Sequence, residues 1–449
     1  MEEVNSTLKE RIKQVANKFL KNSKNQEIQI ISHFDTDGIT SATIMLQSLK
    51  KLDQKFTLKI VKSLDEKFIQ SLNKEKITLF LDLASGSLNH IKNAELKEVY
   101  IIDHHEISSE IPEEINFINP EIFQEKQRIS GAGLTYLFCK ELDPTNKEFA
   151  KLAILGMIGD SHEKEIDTLN HEILDEGEII RKKGLLIYPS TRPLNRTLEY
   201  SSYPYIPEVT GNIKGVLELL REAGLKPEDG KYKSLIELNE KEMEKLTTAV
   251  MLRSPDSKNR EIVGKIFLIK LFNKLEDARE ISAKINACSR YGEPETAIGL
   301  CMEIPKAKRK AESIHVKHRQ SIIAGLKTAK EIEKVEGKLF TIINAKEKIK
   351  DTIIGTIASI LSNSTMYEEG TIITTMGYCE DKIKISSRIA GRNGRNVREL
   401  LSRIINEIGG EVGGHAMAAG GMISQEKEEE FIQKLKKQLE IEMVKVVQE

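Results

Sequence analysis

Short apolar runs alternate with amphipathic stretches along the first third of the chain. Strands are predicted at 27–31, 58–61, 77–81 and 99–102, because each run is short and rich in Ile, Leu or Val. A helix is predicted from near Thr40, after the first strand. Runs without polar alternation are typical of strands that are buried on both faces, so the pattern predicts an α/β fold with a doubly wound parallel sheet.

Helical patterns then dominate until a second, smaller α/β pattern begins. Residues 147–160 predict a buried helix, and 277–292 and 305–335 predict further helices, the last one long, charged and started by a proline. Residues 188–212 contain four prolines and several aromatics, which predicts an irregular surface segment. After Gly337, three strand patterns and a helix from Val397 lead into a glycine-rich tail.

Changes in these patterns predict four parts of the chain. Residues 1–185 are predicted to form an N-terminal α/β domain, and 186–302 to extend it. Residues 303–335 form a helical connector. Residues 336–449 are predicted to form a smaller C-terminal α/β domain.

Composition narrows the class of protein. The chain has 449 residues, with 68 Lys and Arg against 69 Asp and Glu, so contact with nucleic acid requires local basic clusters. Trp is absent and aromatics make up 5%, which favours recognition of a backbone over recognition of bases. The four cysteines lack a CxxC pair and are predicted to be reduced core residues. Without a long apolar segment or signal-peptide pattern, we expect a cytoplasmic protein that does not bind membranes.

Residue types that bind metals come directly after three of the predicted strands and the helix at 147–160. In the motif HFDTDG, which begins at His33, every second side chain is His or Asp, so an extended segment would point them to one side. Ligands of such sheets lie outside the carboxyl ends of the strands, so we expect all these side chains to meet there. The residues concerned are His33, Asp35, Asp37, Asp82, Asp103, His104, His105 and Asp160.

This donor set predicts a site for two divalent ions. Carboxylates crowded at one edge would raise one another's pKa values unless cations neutralise them. A mixture of Asp and His suits Mn²⁺ better than Ca²⁺, with Mg²⁺ or Co²⁺ as alternatives. The donors exceed the needs of one ion, and two ions about 3.5–4 Å apart assist the in-line displacement of a phosphoryl group.

Simpler roles compete with metal binding for each residue taken alone. Asp37 stands where a helix N-cap is expected, and a lone histidine is more often a hydrogen-bonded core residue. The triplet Asp103, His104 and His105 is costly to bury without a partner, which favours the metal site. Five other histidines are predicted to be structural: His90, His162, His171, His315 and His318. Among them His162 stays open, because it lies two residues after Asp160.

Four motifs resemble, in order, those of the DHH phosphoesterase superfamily: HFDTDG, the Asp of FLDLASG, IIDHH and MIGD. The tail GGEVGGHAMAAGG, with SSR at 386–388, resembles the C-terminal domain associated with that superfamily. INACSRYG resembles a segment of the RecJ single-strand exonucleases, and RPLNRTLEYSSYPYIPEVTG resembles the archaeal RecJ-like nucleases, some of which associate with the GINS complex. The long middle segment favours this RecJ branch over shorter superfamily members.

Carried over position by position, the resemblance implies two metal sites that share Asp82. The ligand sets would be His33, Asp35 and Asp82 for one ion, and Asp37, Asp82, His104 and Asp160 for the other. His105 would contact the scissile phosphate or assist proton transfer to the leaving group, and Asp103 would orient His104. Because no motif position is replaced, the resemblance implies an active enzyme. It also implies that residues 1–185 are the catalytic domain and that 336–449 are the substrate-binding domain.

The C-terminal tail is predicted to hold phosphate groups of the substrate. Glycines let backbone N–H groups approach a phosphate closely, and an arginine fork pairs with it. The alternative, that glycine and alanine merely allow tight packing, would prevail without the resemblance. The predicted substrate-binding residues are Arg290, from the resemblance alone, Ser386, Arg388, Gly413, Gly414 and His415, with Arg392 as an additional phosphate partner.

These observations together predict a metal-dependent exonuclease that degrades single-stranded DNA processively from the 5′ end in DNA repair or replication. One alternative keeps the chemistry but acts at the 3′ end, on RNA or on short oligonucleotides. The other is a replication-fork scaffold that binds GINS, with the nuclease activity secondary. Polarity, sugar preference, the metal used and any required partner stay open at this point.

Overall fold

The computed structural model describes residues 7–124, 126–164, 166–201, 205–253, 262–364, 366–391 and 393–446. Contacts divide the chain into two units. The first unit comprises Met1–Lys182 and Lys265–Val316, and the second comprises Lys183–Gly264 and Lys317–Glu449. Among the described residues, none of the helices combines the length and apolar character that a membrane crossing requires. The four-part division predicted from the sequence stays a prediction.

A five-stranded parallel sheet forms the centre of the first unit. Its strands are β1 (Glu27–His33), β2 (Lys55–Val61), β3 (Ile77–Leu81), β4 (Glu98–Ile102) and β5 (Ile115–Ile118). They pair in the order β2-β1-β3-β4-β5, and every pair is parallel. The predicted parallel sheet is therefore confirmed, with β5 as an additional strand.

Helices cover both faces of this sheet, as a doubly wound fold requires. On one face, α1 (Leu8–Asn22), α2 (Thr36–Lys51) and α5 (Gly131–Leu142) enclose side chains such as Ile28 and Ile30. On the other face, α3 (Glu66–Gln70) and α4 (Leu88–Asn93) enclose side chains such as Ile31 and Phe80. Since side chains alternate along a strand, apolar neighbours such as Ile30 and Ile31 serve opposite cores.

The rest of the first unit is mostly helical. Its elements are α6 (Ala150–Gly159), α7 (Thr168–Glu176), the antiparallel strands β7 (Val263–Leu271) and β8 (Lys274–Asp277), α11 (Ala278–Arg290), α12 (Pro294–Cys301) and the first part of α13 (Pro305–Glu331). A 3₁₀ helix, Pro144–Phe149, precedes α6, so the helix predicted at 147–160 is present in two parts. The long charged helix is present as α13.

The second unit contains a six-stranded mixed sheet. Its helices are α8 (Leu194–Glu199), α9 (Ile213–Glu222), α10 (Glu240–Leu252), α14 (Asp351–Ser362), α15 (Val397–Ile408) and α16 (Glu428–Val446). Its strands are β9 (Val335–Gly337), β10 (Phe340–Asn344), β11 (Ile372–Cys379), β12 (Lys382–Ile389), β13 (Gly410–His415) and β14 (Ala418–Ser424), and β6 (Ile180–Leu185) lies across the unit boundary. The sheet order is β13-β14-β12-β11-β10-β9, with only β10 and β11 parallel.

One predicted segment differs from the structure. Residues 188–212 were expected to run irregularly over the surface, but their described part contains α8 and fully buries Leu198, Ile206 and Val209. Pro193 directly precedes α8, and Leu194 and Leu198 stand four residues apart and therefore share one face of that helix. Apolar spacing, rather than proline content, decided the burial of this stretch.

Candidate metal centre

The predicted metal-binding residues lie at the carboxyl edge of the parallel sheet, where the strand order reverses. β1 lies between β2 and β3, so the connections that leave β1 and β3 run in opposite directions. Such a reversal opens a crevice in which ligands bind. His33 ends β1, and Asp82 and Asp103 come directly after β3 and β4. Asp160 joins them from the end of α6.

The HFDTDG motif reaches this crevice by a route that the sequence did not predict. The expectation of an extended segment through Asp37 is wrong, because α2 begins at Thr36 rather than near Thr40. Asp35 is the N-cap and accepts a hydrogen bond from the Gly38 N–H at 3.1 Å, so the capping role considered for Asp37 belongs to Asp35. A Cβ on Gly38 would lie 2.2 Å from the carbonyl oxygen of His33, so only glycine permits this abrupt start.

Asp82 lies at the centre of the site, between two imidazoles. Its Oδ2 lies 3.5 Å from Nδ1 of His33, and its Oδ1 lies 3.2 Å from Nε2 of His104. The side chain is 1% exposed, and neither carboxylate oxygen has a hydrogen-bond donor among the described residues. The backbone of Asp82 is held at φ +58°, in the left-handed region. A buried carboxylate in this state needs a cation.

His104 connects three carboxylates. Besides Asp82, its Nε2 lies 3.2 Å from Oδ2 of Asp160 and 3.6 Å from Oδ2 of Asp37. Asp37 is held in place by the start of α5, where the N–H groups of Gly131 and Ala132 donate to it at 2.6 and 3.0 Å. A helix N-terminus stabilises negative charge, so this contact suits a permanently buried carboxylate.

Two glycines that the sequence analysis did not select leave room for these carboxylates. A Cβ on Gly156 would lie 2.2 Å from Oδ1 of Asp37, and a Cβ on Gly131 would lie 2.9 Å from Oδ1 of Asp82. Both glycines occur in apolar, helix-forming sequence, where a small residue has several possible explanations. Only the tertiary contact identifies them as part of the site.

Asp103 positions His105 rather than the ring of His104. Its Oδ1 lies 2.7 Å from Nδ1 of His105, while its carboxylate accepts hydrogen bonds from the backbone N–H groups of Ser85, His104 and His105 at 2.8, 2.8 and 3.3 Å. The expected contact with the His104 imidazole is absent from the described contacts, because the turn after β4 folds the backbone onto Asp103. The His105 side chain is 49% exposed and available to a substrate.

The electrostatics of the cluster reflect an excess of buried carboxylates. Burial and the charges of Asp160 and Asp82 raise the pKa of Asp37 well above its usual value. Burial and the charge of Asp82 raise the pKa of Asp160 to about 7. Burial alone would lower the pKa of His33, but Asp35 and Asp82 raise it to about 10. Burial is likewise outweighed at His104, where Asp82 and Asp160 raise the pKa to about 9.

Asp82 shows the opposite shift, and the whole pattern fits bound cations. Burial would raise its pKa, but the nearby imidazoles of His104 and His33 hold it well below its usual value. His33, Asp35 and Asp82 bring one donor atom each within 4.8 Å of one another. Together with the unpartnered oxygens of Asp82, this donor set fits divalent metal ions.

His162 is a candidate ligand that the sequence left open. His104, Asp160 and His162 also bring donor atoms within 4.8 Å of one another. Burial and the charge of His104 lower the pKa of His162 to about 4, so its imidazole is neutral at physiological pH, as a metal ligand must be. Its spacing of two residues from Asp160 was the available signal.

The predicted substrate residues fall in both units. Arg290 ends α11 in the first unit, and its Nε donates to Oδ1 of Asn286 at 3.2 Å. Burial lowers the pKa of Arg290, while the charge of Asp35 raises it. Asp35 belongs to the metal-binding cluster, so Arg290 lies within electrostatic range of a residue of the predicted site.

The second unit aligns the remaining predicted residues across three adjacent strands. Gly420 of β14 pairs with Ser386 of β12 on one side and with Gly413 of β13 on the other. In the same way, Ala418 pairs with Arg388 and with His415. The structure therefore brings these predicted residues together, whereas Arg392 lies outside the described residues.

Contacts distinguish the two explanations of this glycine-rich strand. Gly414 has φ +122°, and a Cβ there would lie 2.5 Å from the carbonyl oxygen of Ala418, so its backbone conformation and packing require glycine. A Cβ on Gly413 would meet no described atom within 4 Å. The packing alternative therefore accounts for Gly414 but not for Gly413. Arg388 donates to Oγ of Ser359 at 3.1 Å and to the carbonyl oxygens of Ser387 and Ala419.

Family models match three segments of the chain. Residues 27–157 match the N-terminal domain of the DHH family, 187–260 match the DHH-CID domain, and 337–440 match the DHHA1 domain. The first match contains all the predicted metal-binding residues except Asp160. The third contains the three paired strands described above.

Comparisons with whole proteins agree with these matches. An uncharacterized protein of Methanocaldococcus jannaschii is 28% identical over 433 residues, covering 91% of this chain and 92% of that protein. Exonuclease RecJ bound to manganese is 17% identical with a TM-score of 0.60, covering 94% of this chain and 93% of RecJ. CDC45 from Entamoeba histolytica is 11% identical with a TM-score of 0.70, covering 96% of this chain and 98% of CDC45. At these identities the solved structures show a shared fold.

Proposed function

The chain belongs to the DHH superfamily of phosphoesterases, and on that premise we propose that it is a metal-dependent exonuclease acting on single-stranded DNA. It degrades the strand processively from the 5′ end to mononucleotides, in DNA repair or replication. The observation that carries this proposal is Asp82, a fully buried carboxylate with no described hydrogen-bond donor, flanked by His33 and His104.

The donor atoms suit two divalent ions that share Asp82. The two sets are His33, Asp35 and Asp82, and Asp37, Asp82, His104 and Asp160. When bound, such ions supply a nucleophilic water at neutral pH and neutralise charge on a phosphodiester. Mn²⁺ is the proposed ion, since imidazole and carboxylate are mixed and the RecJ match is with manganese bound.

His105 has the contacts expected of a group that assists the leaving oxygen. The hydrogen bond between its Nδ1 and Asp103 fixes the ring and leaves Nε2 for a substrate. Hydrogen bonding to Asp103 raises the pKa of His105, which favours the protonated ring that can donate to the leaving oxygen. Asp103 is buried and held by backbone N–H groups, and it acts by positioning that ring.

Selection of a single strand rests on contacts with its sugar–phosphate backbone. Arg290 in the first unit, and Ser386, Arg388, Gly413, Gly414 and His415 in the second, supply the proposed contacts. Exposed backbone on β13 and a nearby imidazole match the chemistry of phosphate, which every nucleotide presents. The protein would therefore show little sequence preference.

A time course with single-stranded DNA and RNA, labelled in turn at each end, tests this function in Mn²⁺. Mononucleotide release from 5′-labelled DNA is expected, and it should be lost in Asp82→Ala. Asp175→Ala is the matched control, because Asp175 is 72% exposed and pairs with Arg181 outside the cluster. Release from the 3′ end would reverse the proposed polarity. Release from RNA alone or from short oligonucleotides alone would show that these, and not long single-stranded DNA, are the substrate. No metal-dependent release from any substrate would overturn the nuclease.

The similarity to CDC45 favours one second candidate, a replication scaffold that binds a partner such as GINS. The proposals differ in what Asp82→Ala does in cells. A nuclease requires the carboxylate, whereas a scaffold keeps its function without it. Complementation by Asp82→Ala would support the scaffold, and failure to complement despite normal protein levels would support the nuclease.

A further inference from the structure

A pocket of about 390 Å³ lies within the second unit and contains none of the predicted substrate residues. We propose that it binds one nucleotide of the single-stranded substrate, with the base against Tyr200 and the phosphate at Lys327 and Lys330. This inference rests on the proposed function, since it supplies a further contact for the same strand. The volume lies within the range of about 300–1,000 Å³ that is typical of small-ligand pockets.

One wall of the pocket is a single face of α13. Gln320, Ile323, Lys327 and Lys330 line it at spacings of three or four residues, which places them on the same side of the helix. Ile323 and Leu326 provide apolar contact, while the two lysines are exposed to solvent. The wall therefore combines a surface for a flat, apolar group with positive charge beside it.

The opposite wall is aromatic and firmly held. Tyr200 and Tyr205 line it, with Tyr205 buried and Tyr200 half-buried. The guanidinium carbon of Arg319 lies 4.6 Å from the centroid of the Tyr200 ring, and Nζ of Lys330 lies 5.4 Å from that of Tyr205. These cations stabilise the rings through cation–π contacts. In a chain with 5% aromatics and no Trp, two tyrosines in one pocket are a notable concentration.

Hydrogen bonds hold the aromatic wall in shape, and Gly211 lets this wall approach α13. Gly211 has φ +76°, and a Cβ there would lie 3.0 Å from Cγ2 of Ile323, so a larger residue would narrow the pocket. The Gly211 N–H donates to the carbonyl oxygen of Glu199 at 2.7 Å. Thr210 Oγ1 donates to the carbonyl oxygen of Ser201 at 2.9 Å and accepts from the Ile206 N–H at 3.0 Å. The aromatic wall is thus preformed, which limits the entropy lost on binding.

The charges at the pocket favour an anion. Lys327 and Lys330 form no ion pair with a described residue. The carboxylate that lines the pocket, Glu199, lies 3.1 Å from Arg196, which neutralises it. A nucleotide matches this arrangement, because its base has a flat face for stacking and its phosphate pairs with ammonium groups. Stacking of this kind accepts every base.

Binding of a labelled oligothymidylate to the full-length protein, measured by fluorescence anisotropy in EDTA, tests the pocket without cleavage. Tyr200→Ala should weaken binding by about 5- to 150-fold, the range that loss of one base–aromatic stack gives, and Tyr200→Phe should restore it. The double variant Lys327→Gln and Lys330→Gln should reduce the slope of log affinity against log salt by about 0.7, since the two lysines share one phosphate and each phosphate contributes about 0.7.

The matched control is Lys338→Gln with Lys437→Gln, which removes the same charge from exposed positions of the same unit. Unchanged affinity in Tyr200→Ala, or an equal loss of slope in the control, would overturn the proposal. Tight binding of thymidine monophosphate that depends equally on Tyr200 would assign the pocket to a free nucleotide instead of the strand. Because no metal is present, these results do not depend on whether the metal centre cleaves DNA.

Discussion

The metal centre and the β13 strand differ in how firmly their structure implies a ligand. In the metal centre, oxygens of Asp37, Asp82 and Asp160 all lie within 3.6 Å of one nitrogen of His104, and carboxylates gathered in this way repel one another without positive charge. The β13 strand instead lies at the edge of its sheet, largely exposed, and none of its described side chains has a buried polar atom without a partner. In a buried cluster, polar atoms without a partner indicate a missing ligand. In an exposed strand, the only such indication is a residue, here Gly413, that packing does not explain.

The largest expected effect separates the catalytic chemistry from the binding of metal. His105→Ala should lower kcat on single-stranded DNA by about 10²- to 10⁴-fold without changing Mn²⁺ affinity, because the ring transfers a proton. Asp103→Asn should produce much of the same loss, and the double variant should lose no more than His105→Ala alone. Steady-state kinetics with calorimetric Mn²⁺ titrations measure both. Additive losses would contradict the role of Asp103 as a positioning residue.

The next largest expected effect is the dependence of Mn²⁺ affinity on pH. In the metal-free protein His33 and His104 hold protons up to pKa values of about 10 and about 9, whereas a metal ligand must be neutral. Binding of Mn²⁺ should therefore release protons, and its affinity should rise more than tenfold per unit between about pH 6 and pH 8. Calorimetry in buffers of different ionisation enthalpy counts the protons. Affinity that is constant with pH would exclude these imidazoles as ligands.

The same shifts have a consequence for stability. Because both folded-state pKa values lie above the unfolded value of 6.5, the stabilisation is complete below that pH and declines as pH rises towards 9 or 10. The pKa of Asp160, raised to about 7, acts in the same direction, since deprotonation above its unfolded value adds a buried negative charge. The rise in Tm caused by Mn²⁺ should therefore grow with pH.

A smaller effect tests whether the glycines shape the metal centre. Gly156→Ala should weaken Mn²⁺ binding by about 10- to 100-fold, because its methyl group would displace Asp37. Gly86→Ala is the control, since a Cβ there meets no described atom within 4 Å. Calorimetry measures both variants. Equal Mn²⁺ affinity in the two would show that Asp37 accommodates the methyl group.

The smallest effect distinguishes two neighbouring glycines of β13. Gly413→Ala should leave Tm unchanged while raising KM for single-stranded DNA several-fold, because its Cβ enters open space that the substrate is proposed to fill. Gly414→Ala should lower Tm by several degrees, because its φ is +122° and Ala418 is close. Thermal melts and kinetics measure both. An unchanged KM in Gly413→Ala would remove the evidence for substrate at this strand.

The sequence predicted the parallel sheet and the meeting of residues at its carboxyl edge because both depend on local patterns. A buried strand is visible as an apolar run, and the first residues after its carboxyl end must lie at the edge of the sheet. The backbone at Asp35 was predicted wrongly, because the alternation of a strand was extended beyond His33. An aspartate three residues before Gly38 can also cap a helix, and Asp35 does so. Capping competes with extension whenever polar residues join a strand to a helix.

Other parts of the site could not be predicted, because they depend on contacts between distant segments. Gly156 matters only because α6 packs where Asp37 lies, and nothing near Gly156 in the sequence indicates that. The pocket at Tyr200 likewise combines residues more than a hundred positions apart. The prolines around Leu194 and Leu198 favoured an exposed segment, whereas the four-residue spacing of these two leucines places them on one buried face of a helix.

The left-handed backbone of Asp82 makes asparagine the informative replacement at this position. Asparagine adopts φ +58° more readily than most residues, so Asp82→Asn keeps the backbone conformation while it removes the charge. In the metal-free protein that charge lies beside His33 and His104 and raises the pKa of both imidazoles. Asp82→Asn therefore separates what the charge of this residue does from what its backbone conformation does.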